Sequence, residues 1–128
     1  MSRDIRIVYC APDKRAEIRT VRNDYETLHD LVQGYLEAVY PFEEEVCIVC
    51  NEEGKLDGLP FNRCLKYDNG IVYDFISGPF FICSCKGVDF GSLTQKQAEK
   101  YKDMYLFPER MYKQSGVYRS FKVEVPEG

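Results

Sequence analysis

Long apolar runs, basic clusters and histidine are all scarce in this sequence of 128 residues. No apolar segment approaches the roughly 18 residues that a membrane-spanning helix requires, and residues 1–4 lead directly into a strand pattern rather than into a signal peptide. We therefore expect a protein without a membrane anchor that stays in the cytoplasm, where thiols are kept reduced.

The lack of a basic block bears on the class of partner. The chain has 17 lysines and arginines interleaved with 21 aspartates and glutamates, for a net charge of −4. Proteins that neutralise nucleic-acid phosphates usually carry a basic patch or stripe. The charge pattern therefore argues against a nucleic-acid partner and leaves a protein or a small molecule as the expected ligand.

Only one histidine, His29, accompanies six cysteines. Cys47 and Cys50 have the spacing of metal ligands, but they lie in an apolar, β-branched run that predicts a strand, in which residues three apart face opposite ways. A catalytic Cys–His pair built on His29 lacks a glycine elbow and a third orienting group. Neither pattern supports a metal site or a nucleophile.

A zinc site that combines Cys64, Cys83 and Cys85 stays open as an alternative, although structural zinc takes four ligands. Free cysteine behaves as a small hydrophobic residue and is among the most buried residue types. We expect this role for all six thiols, and we predict no metal ligand, no cofactor site and no catalytic residue. The six are Cys10, Cys47, Cys50, Cys64, Cys83 and Cys85.

The remaining composition is that of a globular domain, with 45% hydrophobic and 30% charged residues. Alternating and helical apolar patterns predict an α+β fold, with a single mixed, mainly antiparallel β-sheet and two principal helices, in one domain over residues 1–128. The apolar segment 45–50 should lie inside the sheet, and segment 117–125 should add to a sheet edge. Strands are predicted at residues 5–10, 15–21, 35–40, 45–50, 71–76, 80–85 and 117–125, with 71–76 and 80–85 either separate or one strand bent at Gly78.

Two capping patterns predict the helices. Asn23 with Glu26 should open the first helix, and Gly34 should end it as the left-handed residue. Thr94 with Gln97 forms a capping box for a second helix that runs to about Tyr105. Around the end of this second helix, four apolar side chains favour core packing, with an aromatic interface as the alternative. These four are Tyr101, Met104, Tyr105 and Phe107.

The polar segment 51–63 follows the most apolar strand and is the longest predicted loop. Functional residues collect on loops held by a rigid scaffold. Asn51, Glu52, Asn62 and Arg63 offer amide, carboxylate and guanidinium groups, and we predict them as a candidate surface for a ligand or partner. The competing interpretation is structural, because asparagine, glycine and proline also serve turns.

Several segments resemble a family of bacterial and phage proteins known as domain of unknown function 3846. The resemblance rests on the order of the first strands and helix, and on three stretches. These are Asn51-Glu52-Glu53-Gly54-Lys55-Leu56 with Gly58-Leu59-Pro60 and Asn62, then Ile76-Ser77-Gly78-Pro79, and finally Phe90 with Ser92-Leu93-Thr94. The similar region covers residues 5–105.

The resemblance implies an origin in bacterial chromosomes, phages or conjugative elements, and it implies no catalytic chemistry. Our leading hypothesis is a non-enzymatic binding module, an accessory factor of a phage or mobile element. The alternative is a small enzyme that uses Glu52, Arg63 or a cysteine in a polar site on segment 51–63.

Overall fold

The computed structural model describes residues 4–87 and 89–127. In these residues ten strands and two helices follow one another along the chain. Their order is β1 (Asp4–Cys10), β2 (Glu17–Arg22), α1 (Tyr25–Val32), β3 (Leu36–Val39), β4 (Val46–Asn51), β5 (Phe61–Lys66), β6 (Val72–Ser77), β7 (Phe80–Lys86), β8 (Asp89–Gly91), α2 (Gln95–Met104), β9 (Glu109–Gln114) and β10 (Val117–Lys122).

The main sheet has the strand order β2-β1-β7-β4-β3, and β8 pairs with β7 beside this path. Each of its paired strands is antiparallel to its neighbour. The opening hairpin β1–β2 is as predicted. Strand β4 lies between β7 and β3, and all six of its residues are buried. The expected interior position of this apolar strand is therefore confirmed.

Both faces of the main sheet are covered, because its interior strands are apolar on both sides. Along β4, Ile48 and Cys50 join the core on one side, whereas Cys47 and Val49 join the core on the other. The first core receives side chains from α2, β5 and β6, and the second receives Leu28 and Val32 from α1. The thiols of Cys47 and Cys50 therefore face opposite ways, as the strand pattern predicts.

The expectation of a single sheet is wrong. Besides the main sheet, the described residues form two two-stranded sheets, β5–β6 and β9–β10. The β5–β6 hairpin packs on a face of the main sheet through Leu65 and Ile76. These side chains are buried there, whereas a hairpin at the sheet edge would leave them exposed. The segments 71–76 and 80–85 are accordingly separate strands in different sheets. The fold remains sheet-rich, mainly antiparallel and only roughly α+β.

The C-terminal strand was expected to add to the edge of the single predicted sheet, but it belongs to a separate sheet. β10 pairs with β9, a strand that the sequence pattern did not reveal, and the two form their own hairpin. Glu109 of β9 is buried, and its carboxylate accepts a hydrogen bond from the backbone N–H of Cys64 at 3.1 Å. This bond attaches the hairpin to β5.

Helix α1 begins one residue later than predicted. The N-cap is Asp24, whose carboxylate accepts from the backbone N–H of Thr27 at 2.8 Å, while Asn23 donates to the carbonyl of Phe90. The left-handed residue at its end is Gln33, with φ of 63°, and not Gly34. Tertiary contacts involve a residue at each end, since Asn23 bonds to Phe90 and Asn51 bonds to Gln33, and the local pattern does not contain them.

Helix α2 has the predicted capping box, with Thr94 and Gln97 exchanging hydrogen bonds between side chain and backbone. Tyr101 and Tyr105 are buried, as expected for core residues, whereas Met104 is 42% exposed. The helices have eight and ten residues, and neither of these described helices is long and apolar enough to span a membrane.

Candidate functional site

The predicted loop 51–63 is shorter than expected. Asn51 is the last residue of β4, and turns occupy residues 52–58. Asn62 and Arg63 lie inside β5, where both are buried. The sequence placed these two polar residues in a loop because polar residues seldom fill buried strand positions.

The side chain of Asn51 links the end of α1 to the end of β4 through hydrogen bonds. Its Nδ2 donates to the carbonyls of Val32 at 3.2 Å and Gln33 at 3.0 Å, and its Oδ1 accepts from the backbone N–H of Glu53 at 2.8 Å. The last carbonyls of a helix lack partners within the helix. This side chain supplies them, and it also holds the start of the following turn.

Gly34 and Gly54 let the backbone approach closely on either side of Asn51. A Cβ at Gly34 would collide with Nδ2 of Asn51, and a Cβ at Gly54 would lie 2.5 Å from the carbonyl oxygen of Ser77. The Gly54 contact brings the turn 52–58 against the end of β6. These close approaches fix the position of the turn relative to two sheets.

Arg63 is a buried cation with a complete set of acceptors. Its Nε and Nη2 donate to the carbonyl of Tyr105 at 3.1 and 3.0 Å, and Nη2 also donates to the carbonyl of Lys14 at 2.7 Å. Nη1 donates to the carbonyl of Ala11 at 3.4 Å and to Oδ1 of Asn62 at 2.7 Å. Burial lowers the pKa of the guanidinium from its ordinary value.

Asn62 completes this second cluster. Its Nδ2 donates to the carbonyls of Cys10 at 2.9 Å and Gly78 at 2.8 Å, and its Oδ1 is occupied by Arg63. The pair therefore ties β5 to the β1–β2 turn and to the end of α2. Both side chains use their polar atoms within the molecule.

The four predicted residues thus do not converge on one ligand site. Asn62 and Arg63 contact each other, Asn51 belongs to a separate cluster at the end of α1, and only Glu52 is exposed. For Asn51, Asn62 and Arg63 the hydrogen bonds fit the structural interpretation. What the structure adds is an open cleft next to Asn51 and Glu52.

This cleft has a volume of about 360 Å³ and lies between the β3–β4 end of the main sheet, the turn 52–58 and strand β6. Val39, Cys50, Leu65 and Ile76 contribute its apolar walls, and Leu56, which is 85% exposed, stands at its rim. We call it the acidic cleft, because four of its lining residues are carboxylates: Glu37, Glu52, Glu53 and Asp74.

A single cation, Lys55, lines the acidic cleft. Its ammonium forms an ion pair with Asp74 and lies 4.3 Å from the centre of the Phe75 ring. A carboxylate beside an aromatic face is an arrangement that attracts ammonium groups. Lys55 itself fills this arrangement, so a further positive charge would meet the carboxylates of Glu37, Glu52 and Glu53, with an apolar group between the walls.

The acidic cleft contains one thiol, that of Cys50. Burial, together with the nearby charges of Glu37 and Asp74, raises its pKa to about 11. At neutral pH the group is a thiol rather than the thiolate that acts as a nucleophile. Glu52 and Cys50 thus line the same cleft, but the Cys50 thiol is not activated as a nucleophile.

A larger groove of about 940 Å³ lies between the β1–β2 turn, the end of α2 and residues 125–127. Several of its charged side chains are paired within the molecule. Arg15 donates to the carbonyl of Val125 and approaches Glu127 at 3.6 Å, while Arg19 pairs with Glu17. Lys14 and Lys102 also line this groove, so its charge differs from that of the acidic cleft, whose lining is mainly acidic.

Five of the six cysteines are buried, and Cys85 is partly exposed. The Sγ atoms of Cys47 and Cys83 are 3.9 Å apart in the core beside α1. Within residues 4–87 and 89–127, no group of three or more histidine, cysteine, aspartate or glutamate side chains is placed to hold a metal ion. Cys10, Cys47, Cys50 and Cys83 lie among the apolar side chains of the two cores.

One comparison with known proteins agrees with the resemblance seen in the sequence. No curated protein and no solved structure matches the chain significantly. One family model, described as a domain of unknown function (DUF3846), matches residues 5–106. This span includes the acidic cleft and ends before the β9–β10 hairpin. The chain belongs to the DUF3846 family.

Proposed function

We propose that the protein is a non-enzymatic binding module that holds a cationic, partly apolar group in the acidic cleft. The observation that carries this proposal is the combination of apolar walls with four carboxylates and one internally paired lysine. Binding sites typically combine an apolar lining with a few polar groups that fix orientation. An aliphatic ammonium, such as a lysine side chain or a small amine, has the matching chemistry.

The alternative of a small enzyme has less support. Arg63 is buried away from the cleft with all its N–H groups used, so it is not free to act on a substrate. Cys50 carries a thiol with a raised pKa, and Glu52 is left without a partner group of catalytic type in the cleft lining. A binding role needs none of these activations.

We further propose that this binding serves a phage or mobile element in a bacterial cytoplasm. The support is the family resemblance together with free, buried thiols, which suit a reducing compartment. Gene neighbours provide the test. Phage or conjugation genes beside the coding sequence would support the role, and housekeeping genes on both sides would contradict it.

The binding proposal is tested by titrating ¹⁵N-labelled protein with butylamine and benzylamine, and separately with butyrate and benzoate. We expect the amines to shift the amide resonances of residues 50–56 and 74–77, because the carboxylates attract ammonium and the walls accept the apolar part. The acids should leave these resonances in place.

Matched variants show whether the cleft is responsible. Glu37→Gln and Glu52→Gln should weaken amine binding, whereas Glu43→Gln, an exposed carboxylate outside the cleft lining, should not. Equal shifts with amines and acids, or shifts confined to the groove beside Arg15, would refute the proposal.

A further inference from the structure

Strand β3 is an edge of the main sheet. In the described part of the chain it pairs with β4 alone, through the register Leu36 with Asn51 and Ala38 with Val49. An edge strand presents backbone groups that can pair with another chain. Two side chains of β3, Glu37 and Val39, also line the acidic cleft. The free edge and the cleft are therefore one continuous surface.

The hydrogen-bond pattern identifies the free backbone groups. The N–H of Glu52 donates to the carbonyl of Tyr35 at 2.8 Å, so these two residues form a hydrogen-bonded pair. Such pairs alternate with non-bonded pairs along an antiparallel ladder. It follows that Leu36 and Ala38 direct their N–H and C=O groups away from β4, toward the open edge.

The opposite edge, β2, differs in composition. It carries three charged residues in six, a pattern that discourages strand pairing, whereas β3 carries one in four. The side chains of Leu36, Ala38 and Val39 are partly buried and apolar. Of the two edges, β3 offers the more favourable surface for an added strand.

We propose that β3 receives an extended segment of a partner protein as an additional strand, with basic side chains at alternate positions entering the acidic cleft. The inference rests on the proposed function, because it names the kind of partner that fills the same cleft. Successive side chains of a strand face opposite ways, so every second residue of the added segment lies on the side of Glu37 and Val39.

Charge complementarity selects a basic segment over a second copy of this chain. Glu37, Glu52, Glu53 and Asp74 give the cleft a surplus of negative charge over Lys55. Pairing β3 with its counterpart in another copy would bring two acidic clefts to one junction, and like charges repel. A partner segment with alternating lysines has the opposite charge at the spacing of the strand.

The probe for this inference is the peptide acetyl-(Lys-Val)₄-amide, compared with the same peptide N-methylated at alternate residues and with a glutamate version. Isothermal titration measures affinity, and hydrogen exchange reports protection of individual amides. We expect the lysine peptide to bind and to slow exchange at Leu36 and Ala38. The N-methylated and glutamate peptides should bind at least about tenfold more weakly, because each lacks one source of attraction.

Ala38→Pro removes one outward N–H while keeping the ladder to β4, since proline is tolerated where an edge N–H faces solvent. Thr20→Pro is the matched control on β2. Thr20 is opposite Arg6, whose N–H and C=O bond to Ser92 and Leu93 rather than to β2. We expect Ala38→Pro to weaken peptide binding by about tenfold, which corresponds to the loss of roughly one hydrogen bond. Thr20→Pro should leave peptide binding unchanged.

Several results would overturn the inference. Equal affinity for the N-methylated peptide would show that the backbone edge is not used, and equal loss in both proline variants would show unselective pairing. Amine binding in the cleft without peptide binding would leave the proposed function standing and remove this inference alone. Slow exchange at Leu36 and Ala38 that grows with protein concentration, without peptide, would indicate pairing between copies instead.

Discussion

Arg63 shows how one buried residue can hold several segments together. Its five hydrogen bonds reach backbone carbonyls of Ala11, Lys14 and Tyr105 and the side chain of Asn62. Each buried acceptor left without a partner costs about 1–3 kcal/mol. We therefore expect Arg63→Met to lower the free energy of unfolding by about 3 kcal/mol or more, measured by urea denaturation.

The control for this change is Arg110→Met, which removes an exposed arginine paired with Asp13. An exposed ion pair of this kind contributes about 1 kcal/mol or less. Arg63→Met as mild as Arg110→Met would mean that water satisfies the stranded carbonyls, and the arginine would then not be the link between these segments.

Gly34 and Asn51 form a second test at the scale of residues. A Cβ at position 34 would collide with the Asn51 amide that binds the end of α1. We expect Gly34→Ala to cost about 1–3 kcal/mol in the parent protein, as overpacking does. In an Asn51→Ala background the collision is absent, so the same change should cost close to nothing. Thermal unfolding of the four proteins in this double-mutant cycle measures the difference.

Additive costs in that cycle would contradict the close contact. They would mean that the strain of Gly34→Ala arises in the backbone of residue 34. The φ of Gly34, however, does not lie in the positive range that favours glycine. Coupling between the two positions, in contrast, supports Asn51 as the link between α1 and the turn that borders the acidic cleft.

Among the elements, α2 depends most on its own local sequence. The Thr94 hydroxyl accepts a hydrogen bond from the backbone N–H of Gln97 at 3.1 Å, and Oε1 of Gln97 accepts one from the backbone N–H of Thr94 at 3.0 Å. Thr94→Ala removes the first bond and should cost about 1 kcal/mol. For a domain of this size the melting temperature should fall by about 4 °C in differential scanning calorimetry.

Lys96→Ala in the first turn of the same helix is the comparison, because Lys96 is exposed and is not part of the capping box. It should leave the melting temperature within about 2 °C, as surface changes away from special contacts do. A loss equal to that of Thr94→Ala would show that side chains in this first turn matter for reasons other than capping.

Local signals explain which elements were predictable from sequence. The capping box of α2, the β1–β2 hairpin and the apolar strand β4 all have their determinants within a few neighbouring residues. The grouping of strands into sheets has no such signal. It depends on which distant apolar faces meet, as when Leu65 and Ile76 place β5–β6 over the main sheet.

Only the approximate location of the candidate site could be predicted from the sequence. Asn51 and Glu52 do line the acidic cleft, but Asn62 and Arg63 are polar residues buried in a strand, where their hydrogen bonds come from distant backbone. Sequence pattern assigns such residues to loops. Glu37 and Asp74 were missed because each occurs singly in a strand, and only the packing of two sheets brings them together.

Across the whole molecule, polar side chains connect the layers that apolar packing stacks. Arg63 joins β5 to the β1–β2 turn and the end of α2, and Glu109 joins β9 to β5. Glu44, in the connection from β3 to β4, is a third link. Its carboxylate accepts hydrogen bonds from Tyr101, Lys100 and Gln97 of α2.

These links make stability depend on pH through Glu44. Hydrogen bonds from Tyr101, Lys100 and Gln97 lower the pKa of Glu44 from 4.5 to about 2. Because the folded-state pKa is lower than the ordinary value, the ionised carboxylate stabilises the fold above about pH 4.5, and this contribution is lost as the pH falls toward 2. Acid should therefore loosen the attachment of α2 to the β3–β4 connection.

Urea denaturation of the parent protein and Glu44→Gln at pH 7, 5, 4 and 3 measures this effect. Both proteins contain the same other carboxylates, so the difference in the free energy of unfolding isolates Glu44. We expect the parent to be more stable at pH 7 and the gap to narrow steadily below pH 4.5. Glu43→Gln, at the exposed neighbouring residue, is the matched control for the loss of one negative charge. A gap that stays constant down to pH 3 would mean that Glu44 acts through its shape and not through its charge.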